Sequence, residues 1–184
     1  MKIWLVRHAQ PLVAAGLCYG ALDLPADPQH TVQAAHALAK NLPTGLLLRA
    51  SPLQRCKQLT LALQALRPDL TYETEARLSE MNFGSFEGLR WDAIAKEAFD
   101  AWLADFAGHR FGGVENLTEL MARVAEVLQA ANQRSQDEVW VTHAGVIRAA
   151  SLLAKGVQQL DNAAQWPVQA PAFGEYWCLD CQSD

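Results

Sequence analysis

The sequence predicts an α/β fold, with helices on both faces of a mostly parallel sheet. Short apolar runs alternate along the chain with segments in which apolar residues recur at helical spacing, the pattern of a parallel sheet covered by helices. Two of the runs, residues 2–6 and 139–142, are almost continuously apolar, as in strands buried on both faces. In such sheets, ligands bind just beyond the carboxyl ends of the strands.

The length and composition are those of one ordinary globular domain, residues 1–184. The chain has 51% hydrophobic and 19% charged residues and is long enough to bury a substantial core. It has no apolar run of membrane-spanning length and no signal-peptide pattern, so we expect a cytoplasmic protein that binds no membrane. The net charge of −5 and the lack of a lysine or arginine cluster argue against a nucleic-acid partner. The oligomeric state stays open.

The first part of the chain predicts a strand, a long loop and a helix. The strand covers residues 2–6, and the loop runs over 9–28, a length that is usually functional within a compact domain. Apolar residues at helical spacing predict the helix, which Pro43 stops. The residues with this spacing are Val32, Ala35, Ala39 and Leu42.

A second strand, residues 46–50, leads directly into another helix. Ser51 has the side chain of a helix cap, Pro52 suits the first helical position, and Gln54 lies where a capping-box partner belongs. A short strand over residues 71–74 follows. We therefore predict a strand–helix–strand unit in this part of the chain.

The second half of the chain predicts three more helices and two more strands. The first helix is predicted by the spacing of Trp91, Ile94, Ala98 and Trp102. Asn116 and Glu119 form a capping box that opens the next helix. The apolar strand near residue 140 precedes a helix through 147–153, which ends near Gly156, and residues 173–179 form the last strand.

Five polar residues stand at strand ends or in the loops between elements. Arg7 and His8 follow the first strand, and Arg55 lies in the first turn after the second. His143 follows a later strand, and Glu80 lies in a glycine-containing loop. If the strands are parallel, the residues that follow them converge on one edge of the sheet.

These residue types suit the transfer of a phosphoryl group. Arg7 and Arg55 can each bind a phosphate dianion through two hydrogen bonds, and His143 can add another donor. The two cations favour the neutral form of His8, whose free nitrogen can attack phosphorus and form a phosphohistidine. Glu80 can protonate the departing oxygen and then activate the water that releases phosphate. This chemistry needs no metal or other cofactor, and the sequence has no convincing metal-ligand cluster.

Four motifs, in the expected order, resemble those of the histidine phosphatase superfamily, whose fold is similar to phosphoglycerate mutase. They are residues 5–8 (LVRH), 51–55 (SPLQR), 78–88 (LSEMNFGSFEG) and 142–145 (THAG). The resemblance implies a three-layer αβα architecture with one antiparallel edge strand. It also implies that His8 is the nucleophile, that Glu80 belongs to the proton-donor segment, and that His143 is the second histidine.

Further segments resemble those of bacterial α-ribazole phosphatases. They are residues 16–20 (GLCYG), 23–25 (DLP), 51–56 (SPLQRC) and 91–94 (WDAI), together with Trp102 and Asp105. The resemblance implies a small-molecule phosphomonoester as the binding partner. That molecule is α-ribazole 5′-phosphate or adenosylcobalamin 5′-phosphate, and the reaction belongs to late cobalamin biosynthesis.

Three positions depart from the family pattern, and one of them is Ala26, which follows Pro25 where the family has leucine. Ala9 stands where the family has glycine, and alanine there costs about 1 kcal/mol if the backbone requires a positive φ. Asn116 stands in place of a serine in the turn before a helix, where it can still act as a cap.

Five further residues are candidates for substrate contacts. They are Gln10, Tyr19, Gly20, Glu87 and Arg148. Tyr19 is as well explained as a packed loop anchor, and Arg148 as a structural partner of another segment. Glu87 is the alternative to Glu80 as proton donor.

Three other functions are compatible with the motifs. A broad-specificity small-molecule phosphatase has the same core residues, and so does a phosphoglycerate mutase-like enzyme, which retains the phosphate while its substrates exchange. The third alternative is a non-catalytic protein that binds phosphate esters, which the full set of catalytic candidates disfavours.

Overall fold

Five strands form one mixed sheet at the centre of the protein, whose computed structural model describes residues 1–181. They are β1 (Lys2–Arg7), β2 (Leu47–Ala50), β3 (Thr71–Thr74), β4 (Glu138–Thr142) and β5 (Tyr176–Asp180). Across the sheet the order is β3-β2-β4-β1-β5, with β5 antiparallel to β1 and the other neighbours parallel. The predicted mostly parallel sheet with an antiparallel edge strand is confirmed. The last three residues of the predicted domain lie outside the described residues.

Helices pack on both faces of this sheet. They are α1 (Pro28–Asn41), α2 (Gln54–Leu66), α3 (Lys96–Ala104), α4 (Leu117–Arg134) and α5 (Ala144–Ala154). Successive strand residues point to opposite faces. Trp4 and Val6 of β1 therefore pack with α1 and α2, whereas Ile3 and Leu5 pack with α4 and α5. This arrangement gives the three predicted layers, while α3 packs in a separate aromatic cluster.

The parallel strands bring three polar residues to one edge of the sheet. β4 lies between β1 and β2, and both ladders continue one residue beyond the strands. The His8 N–H donates to the Thr142 carbonyl at 2.9 Å, and the Ser51 N–H donates to the Val141 carbonyl at 3.0 Å. His143 follows β4 directly, so His8, Ser51 and His143 leave the sheet side by side.

α2 begins later than predicted. Its first residue is Gln54, and the Ser51 hydroxyl accepts the N–H of Leu53, the residue before the helix, rather than that of Gln54. The same hydroxyl also contacts His143. The Gln54 N–H donates to the Asp23 carboxylate at 2.6 Å. The predicted local capping box is therefore wrong, because a residue from the preceding long loop satisfies the exposed end of this helix.

Of the four residues with the spacing predicted for α1, Ala35 and Leu42 are buried and Ala39 packs against the same cluster, whereas Val32 is not buried. Val32 is 52% exposed, and the buried residues are Thr31, Ala34, Ala35 and Leu38. Alanines occur on several faces of this helix, so the apolar spacing alone did not define the buried face.

Two predicted elements are shorter than expected. The helix predicted from Trp91 begins only at Lys96, after a single 3₁₀ turn. The last strand begins at Tyr176, three residues late, because the chain turns at Gly174 with a φ of 76°. The Gly174 N–H donates to the Arg7 carbonyl, which ties this turn to the end of β1.

The departures from the family pattern at Asn116 and Ala9 fit the backbone without strain. Asn116 caps α4 in a complete capping box with Glu119, with N–H to oxygen distances of 2.9 and 3.1 Å. Within residues 1–181, Ser135 is the one non-glycine residue with a positive φ, so Ala9 has an ordinary conformation. No helix in the described part of the chain is long and apolar enough to cross a membrane.

Candidate active site

His8 and His143 lie at the centre of the strand-end cluster. Both side chains are buried, and the centroids of their rings are 5.0 Å apart. Their closeness follows from the pairing of β1 with β4, which places the residue after each strand at the same height. The structure thus brings together His8 and His143, the two histidines that the sequence placed at the ends of strands.

One nitrogen of His8 is free to act as a nucleophile. Nδ1 lies 2.7 Å from the Ala9 carbonyl, which can only accept a hydrogen bond, so we assign the ring proton to Nδ1 and the lone pair to Nε2. Burial, followed by the positive charges of Arg55 and Arg7, lowers the pKa of His8 to about 3. The imidazole is therefore neutral near pH 7, as the sequence predicted from its neighbours.

His143 presents an unpartnered nitrogen in the same cluster. Its Nε2 is 2.8 Å from the Ser51 hydroxyl, which itself accepts the Leu53 N–H at 3.3 Å. A hydroxyl that accepts from Leu53 can donate to Nε2, which leaves the proton on Nδ1. Among the described residues this buried Nδ1 has no hydrogen-bond partner. Burial first, and then the nearby ionisable His8 and the cation of Arg55, keep the pKa of His143 well below its ordinary value.

Arg7 joins the site from the end of β1. Its Nη1 donates to the Pro171 carbonyl at 3.1 Å, and its guanidinium lies 3.8 Å from the centre of the Phe173 ring. These contacts hold the cation on the side of the loop that approaches β5. Burial lowers the pKa of Arg7, but the group stays protonated at neutral pH.

Arg55 is completely buried in the first turn of α2. Its two terminal nitrogens donate to the carbonyls of Leu22 and Gly20, both at 2.7 Å, and its guanidinium lies 5.6 Å from the Tyr19 ring. Arg55 therefore ties the long loop to α2. Its positive charge also lowers the pKa values of both clustered histidines, which places it electrostatically within the site.

Glu80 reaches the site from the loop before α3. Its carboxylate accepts the N–H groups of Gly145 and Met81, both at 3.1 Å. Gly145 lies in the first turn of α5, where free N–H groups and the helix dipole favour a negative charge. A side chain at Gly145 would overlap the Glu80 carboxylate, so the close approach requires glycine.

Glu87 joins two segments of the chain and does not line the cavity. Its Oε1 accepts the N–H groups of Ala21 at 2.7 Å and Phe83 at 2.9 Å. It thereby joins the long loop to the segment that carries Glu80. Of the two candidate proton donors, Glu80 lines the cavity and Glu87 does not.

A cavity of about 430 Å³ opens beside His8. Its charged and polar lining side chains are Arg7, His8, Tyr19, Glu80 and Arg148. The other lining residues with large side chains are apolar, and aromatic rings are prominent among them. They are Leu17, Met81, Phe83, Trp91, Trp102, Phe106, Leu117, Leu120 and Trp166.

The candidate substrate-contact residues divide into two groups. Tyr19 and Arg148 line the cavity, and Arg148 also donates to the Val168 carbonyl at 2.7 Å, so both of its predicted roles stay open. Gln10 is exposed and Gly20 is buried against the Met81 carbonyl. Neither of these two, nor Glu87, belongs to the cavity lining, and a substrate contact for them stays a prediction.

Sequence reasoning missed two polar residues that shape the site. Ser51 was interpreted only as a helix cap, although its hydroxyl contacts His143. Arg123, on α4, donates to the backbone around Glu80. No local pattern marks these contacts of Arg123, because the three carbonyls lie more than 40 positions away in the sequence.

Known structures with the same fold include proteins from Thermus thermophilus and from mycobacteria. Protein TTHB049 of Thermus thermophilus is 28% identical, with 98% of this chain and 94% of that chain covered and a TM-score of 0.73. The phosphoglycerate mutase of the same organism is 30% identical, with 81% of each chain covered and a TM-score of 0.67. A mycobacterial glucosyl-3-phosphoglycerate phosphatase has the same fold, with a TM-score of 0.70. It is 24% identical, with 83% of this chain and 78% of that chain covered.

The family comparison agrees with the geometry of the site. No curated protein matches the chain closely enough to be counted as a relative. A family model does match, over residues 3–172, and it is the model of the histidine phosphatase superfamily, branch 1. That match spans all four motifs and every strand up to β4. The chain therefore belongs to the histidine phosphatase superfamily.

Proposed function

We propose that this protein hydrolyses a small phosphomonoester through a phosphohistidine on His8. The observation that carries the proposal is the pair of ring nitrogens at the site: a free lone pair on His8 and an unpaired donor on His143. A phosphoryl group between them would find a nucleophile on one side and a hydrogen bond for its oxygen on the other. Arg7 and Arg55 supply the positive charge that the phosphate requires.

The reaction has two displacements. In the first, Nε2 of His8 forms a bond to phosphorus while the bond to the leaving oxygen breaks, and Glu80 gives its proton to that oxygen. The negative charge of the bound phosphate ester opposes that of the Glu80 carboxylate and so favours its protonated form. In the second, the Glu80 carboxylate takes a proton from water, and the water oxygen displaces the imidazole from phosphorus. Inorganic phosphate leaves, and His8 and Glu80 return to their first states. The proton on Nδ1 of His8 stays hydrogen-bonded to the Ala9 carbonyl throughout.

We propose α-ribazole 5′-phosphate, or adenosylcobalamin 5′-phosphate, as the substrate. The apolar wall of the cavity, with Phe83, Trp91, Trp102 and Trp166, suits a planar aromatic base better than a sugar or a carboxylate. The segments that resemble α-ribazole phosphatases add support, because they include Tyr19 and Trp91 of this lining. A small molecule is then the partner, rather than a nucleic acid or a membrane.

The test compares steady-state rates on α-ribazole 5′-phosphate with those on sugar phosphates and phosphoglycerates. We expect the highest kcat/KM for the ribazole ester, and comparable values for all esters would instead indicate a broad-specificity phosphatase. Transfer of labelled phosphate to a second hydroxyl, without release, would favour a mutase, the activity named for one structural neighbour.

A mutation tests the covalent step. His8→Ala is expected to lower kcat/KM by about 10⁴-fold or more, because a lost nucleophile removes the whole pathway. His36→Ala, which removes an exposed histidine of α1, is the matched control and should leave the rate unchanged. The wild type should yield an acid-labile, base-stable phosphoenzyme that His8→Ala does not form. A variant that keeps near-normal turnover would contradict the mechanism, and tight phosphate binding without turnover in the wild type would favour a binding protein.

A further inference from the structure

One arginine of α4 contacts the backbone on the N-terminal side of Glu80. Nη1 of Arg123 donates to the carbonyls of Arg77 and Ser79, both at 2.6 Å, and Nη2 donates to the Glu80 carbonyl at 3.2 Å. Three carbonyls within four residues thus share one guanidinium. The chain there forms only a short 3₁₀ turn, so these bonds satisfy carbonyls that regular structure does not.

A carboxylate completes the arrangement on the C-terminal side of Glu80. Glu115 holds Arg123 through two contacts, from Nε at 2.7 Å and from Nη2 at 3.2 Å. The same carboxylate accepts the Asn82 N–H at 2.9 Å. Both side chains are largely shielded from solvent, with exposures of 19% and 15%. The pair therefore fixes the backbone before and after Glu80.

We infer that Arg123 and Glu115 are positioning residues for the proton donor of the proposed reaction. The inference rests on the proposed function, in which Glu80 protonates the leaving oxygen. Within residues 1–181, the hydrogen-bond partners of the Glu80 carboxylate are two N–H groups. Its distance from the leaving oxygen therefore depends on the backbone that the pair holds, and proton transfer is sensitive to shifts of about 1 Å. The planar fork of arginine is needed, since an ammonium group cannot span the same acceptors.

The first experiment measures how the loss depends on the leaving group. For a two-step enzyme, kcat/KM reports the steps up to formation of the phosphoenzyme. Arg123→Gln should lower kcat/KM for α-ribazole 5′-phosphate, or for another primary alkyl phosphate that the wild type hydrolyses, by roughly 10–100-fold. It should lower kcat/KM for p-nitrophenyl phosphate less than about threefold, since nitrophenolate leaves without a general acid. KM for the alkyl ester should change little.

A matched control and a conservative variant separate position from charge. Arg110→Gln breaks an exposed ion pair with Glu119 at the start of the same helix and should not affect either ester. Arg123→Lys keeps the positive charge but not the fork, so it should be nearly as impaired as Arg123→Gln. Recovery in the lysine variant would assign the effect to charge and overturn the inference.

The second experiment asks whether Arg123 acts through Glu80. In a Glu80→Gln background the proton donor is already lost, so adding Arg123→Gln should cause little further decrease on the alkyl ester. If Arg123→Gln fails to fold, Glu115→Gln replaces it in the same cycle. Equal losses on both esters, or an undiminished loss in the Glu80→Gln background, would contradict the inference alone. A wild type that hydrolyses neither ester would contradict the proposed function and the inference together.

Discussion

At the scale of single residues, burial decides the chemistry of His8. The side chain is almost completely inaccessible and lies beside two arginines, so the charged imidazolium is disfavoured by desolvation first and by the cations second. A neutral nucleophile is thereby available across the physiological pH range. The same environment has a cost for folding, because the unfolded chain can protonate this histidine and the folded protein cannot.

This cost predicts a pH-dependent stability. The pKa of His8 is about 3 in the folded protein against 6.5 for an unperturbed histidine, so unfolding takes up a proton between these values. The free energy of unfolding should therefore fall as the pH falls below about 6.5, with up to about 1.4 kcal/mol per pH unit from His8. Urea unfolding of the wild type at several pH values between 7 and 4 measures the slope. His143, whose pKa is also lowered, contributes in the same direction.

His8→Gln isolates the contribution of this residue. The variant should show a shallower fall of the unfolding free energy over the same pH range, since one of the titrating groups is gone. His36→Gln removes an exposed histidine and should keep the wild-type slope. Identical slopes in the wild type and in His8→Gln would contradict a neutral, buried His8.

At the scale of elements, the start of α2 couples the long loop to the site. Asp23 accepts the Gln54 N–H, and the next residue, Arg55, donates to two carbonyls of the same loop. The helix end and the loop are thus fixed by each other. The Ser51 hydroxyl, just before this helix, accepts the Leu53 N–H and contacts His143, so the start of α2 is joined directly to the site.

Asp23→Ala should affect both stability and substrate binding. Loss of a capping carboxylate is expected to lower the free energy of unfolding by about 1 kcal/mol, measured by urea unfolding at neutral pH. A less constrained loop should also raise KM for the phosphomonoester several-fold. Asp23→Asn retains an acceptor and should behave nearly as the wild type. Asp69→Ala, the control, removes an exposed carboxylate beyond the other end of α2 and should leave KM unchanged. An equal rise of KM in both alanine variants would contradict a coupling between the long loop and the start of α2.

At the scale of the whole molecule, the site combines two separate parts of the fold. The strand ends supply the reactive groups, and the segment that includes α3 supplies an aromatic cluster around the fully buried Phe111. The ring centroids of Trp102 and Phe86 lie 4.4 and 4.6 Å from that of Phe111. Trp91 connects this cluster to the cavity wall. In the proposed function, the chemistry and the substrate preference therefore have different structural origins.

Trp91→Ala should separate these two properties. We expect kcat/KM for α-ribazole 5′-phosphate to fall about tenfold, because loss of an aromatic contact costs on the order of 1 kcal/mol or more. A small alkyl phosphate that does not reach the aromatic wall should lose less than about threefold. Trp177→Ala, on the edge strand β5 and outside the cavity lining, is the control of equal size. Equal losses on both esters would indicate that Trp91 supports the fold rather than the substrate.

The sequence by itself determined the elements and the residue types that meet at the site. Apolar runs and helical spacing predicted each strand and helix near its observed position, and the residues after the strands included His8, Arg55 and His143. These features are local, since periodicity and the side chain at a strand end depend only on neighbouring residues. The αβα layering and the order of the motifs followed from the same information and from the family resemblance.

Only the tertiary structure decided how these residues are held. The cap of α2 by Asp23, the contact of Ser51 with His143 and the contacts of Arg123 around Glu80 join residues that are 31 to 92 positions apart. The physical reason is that buried polar groups must find partners wherever packing brings them, and this choice leaves no periodic trace in the sequence. The reactive groups were therefore predictable, whereas the hydrogen bonds that orient them were not.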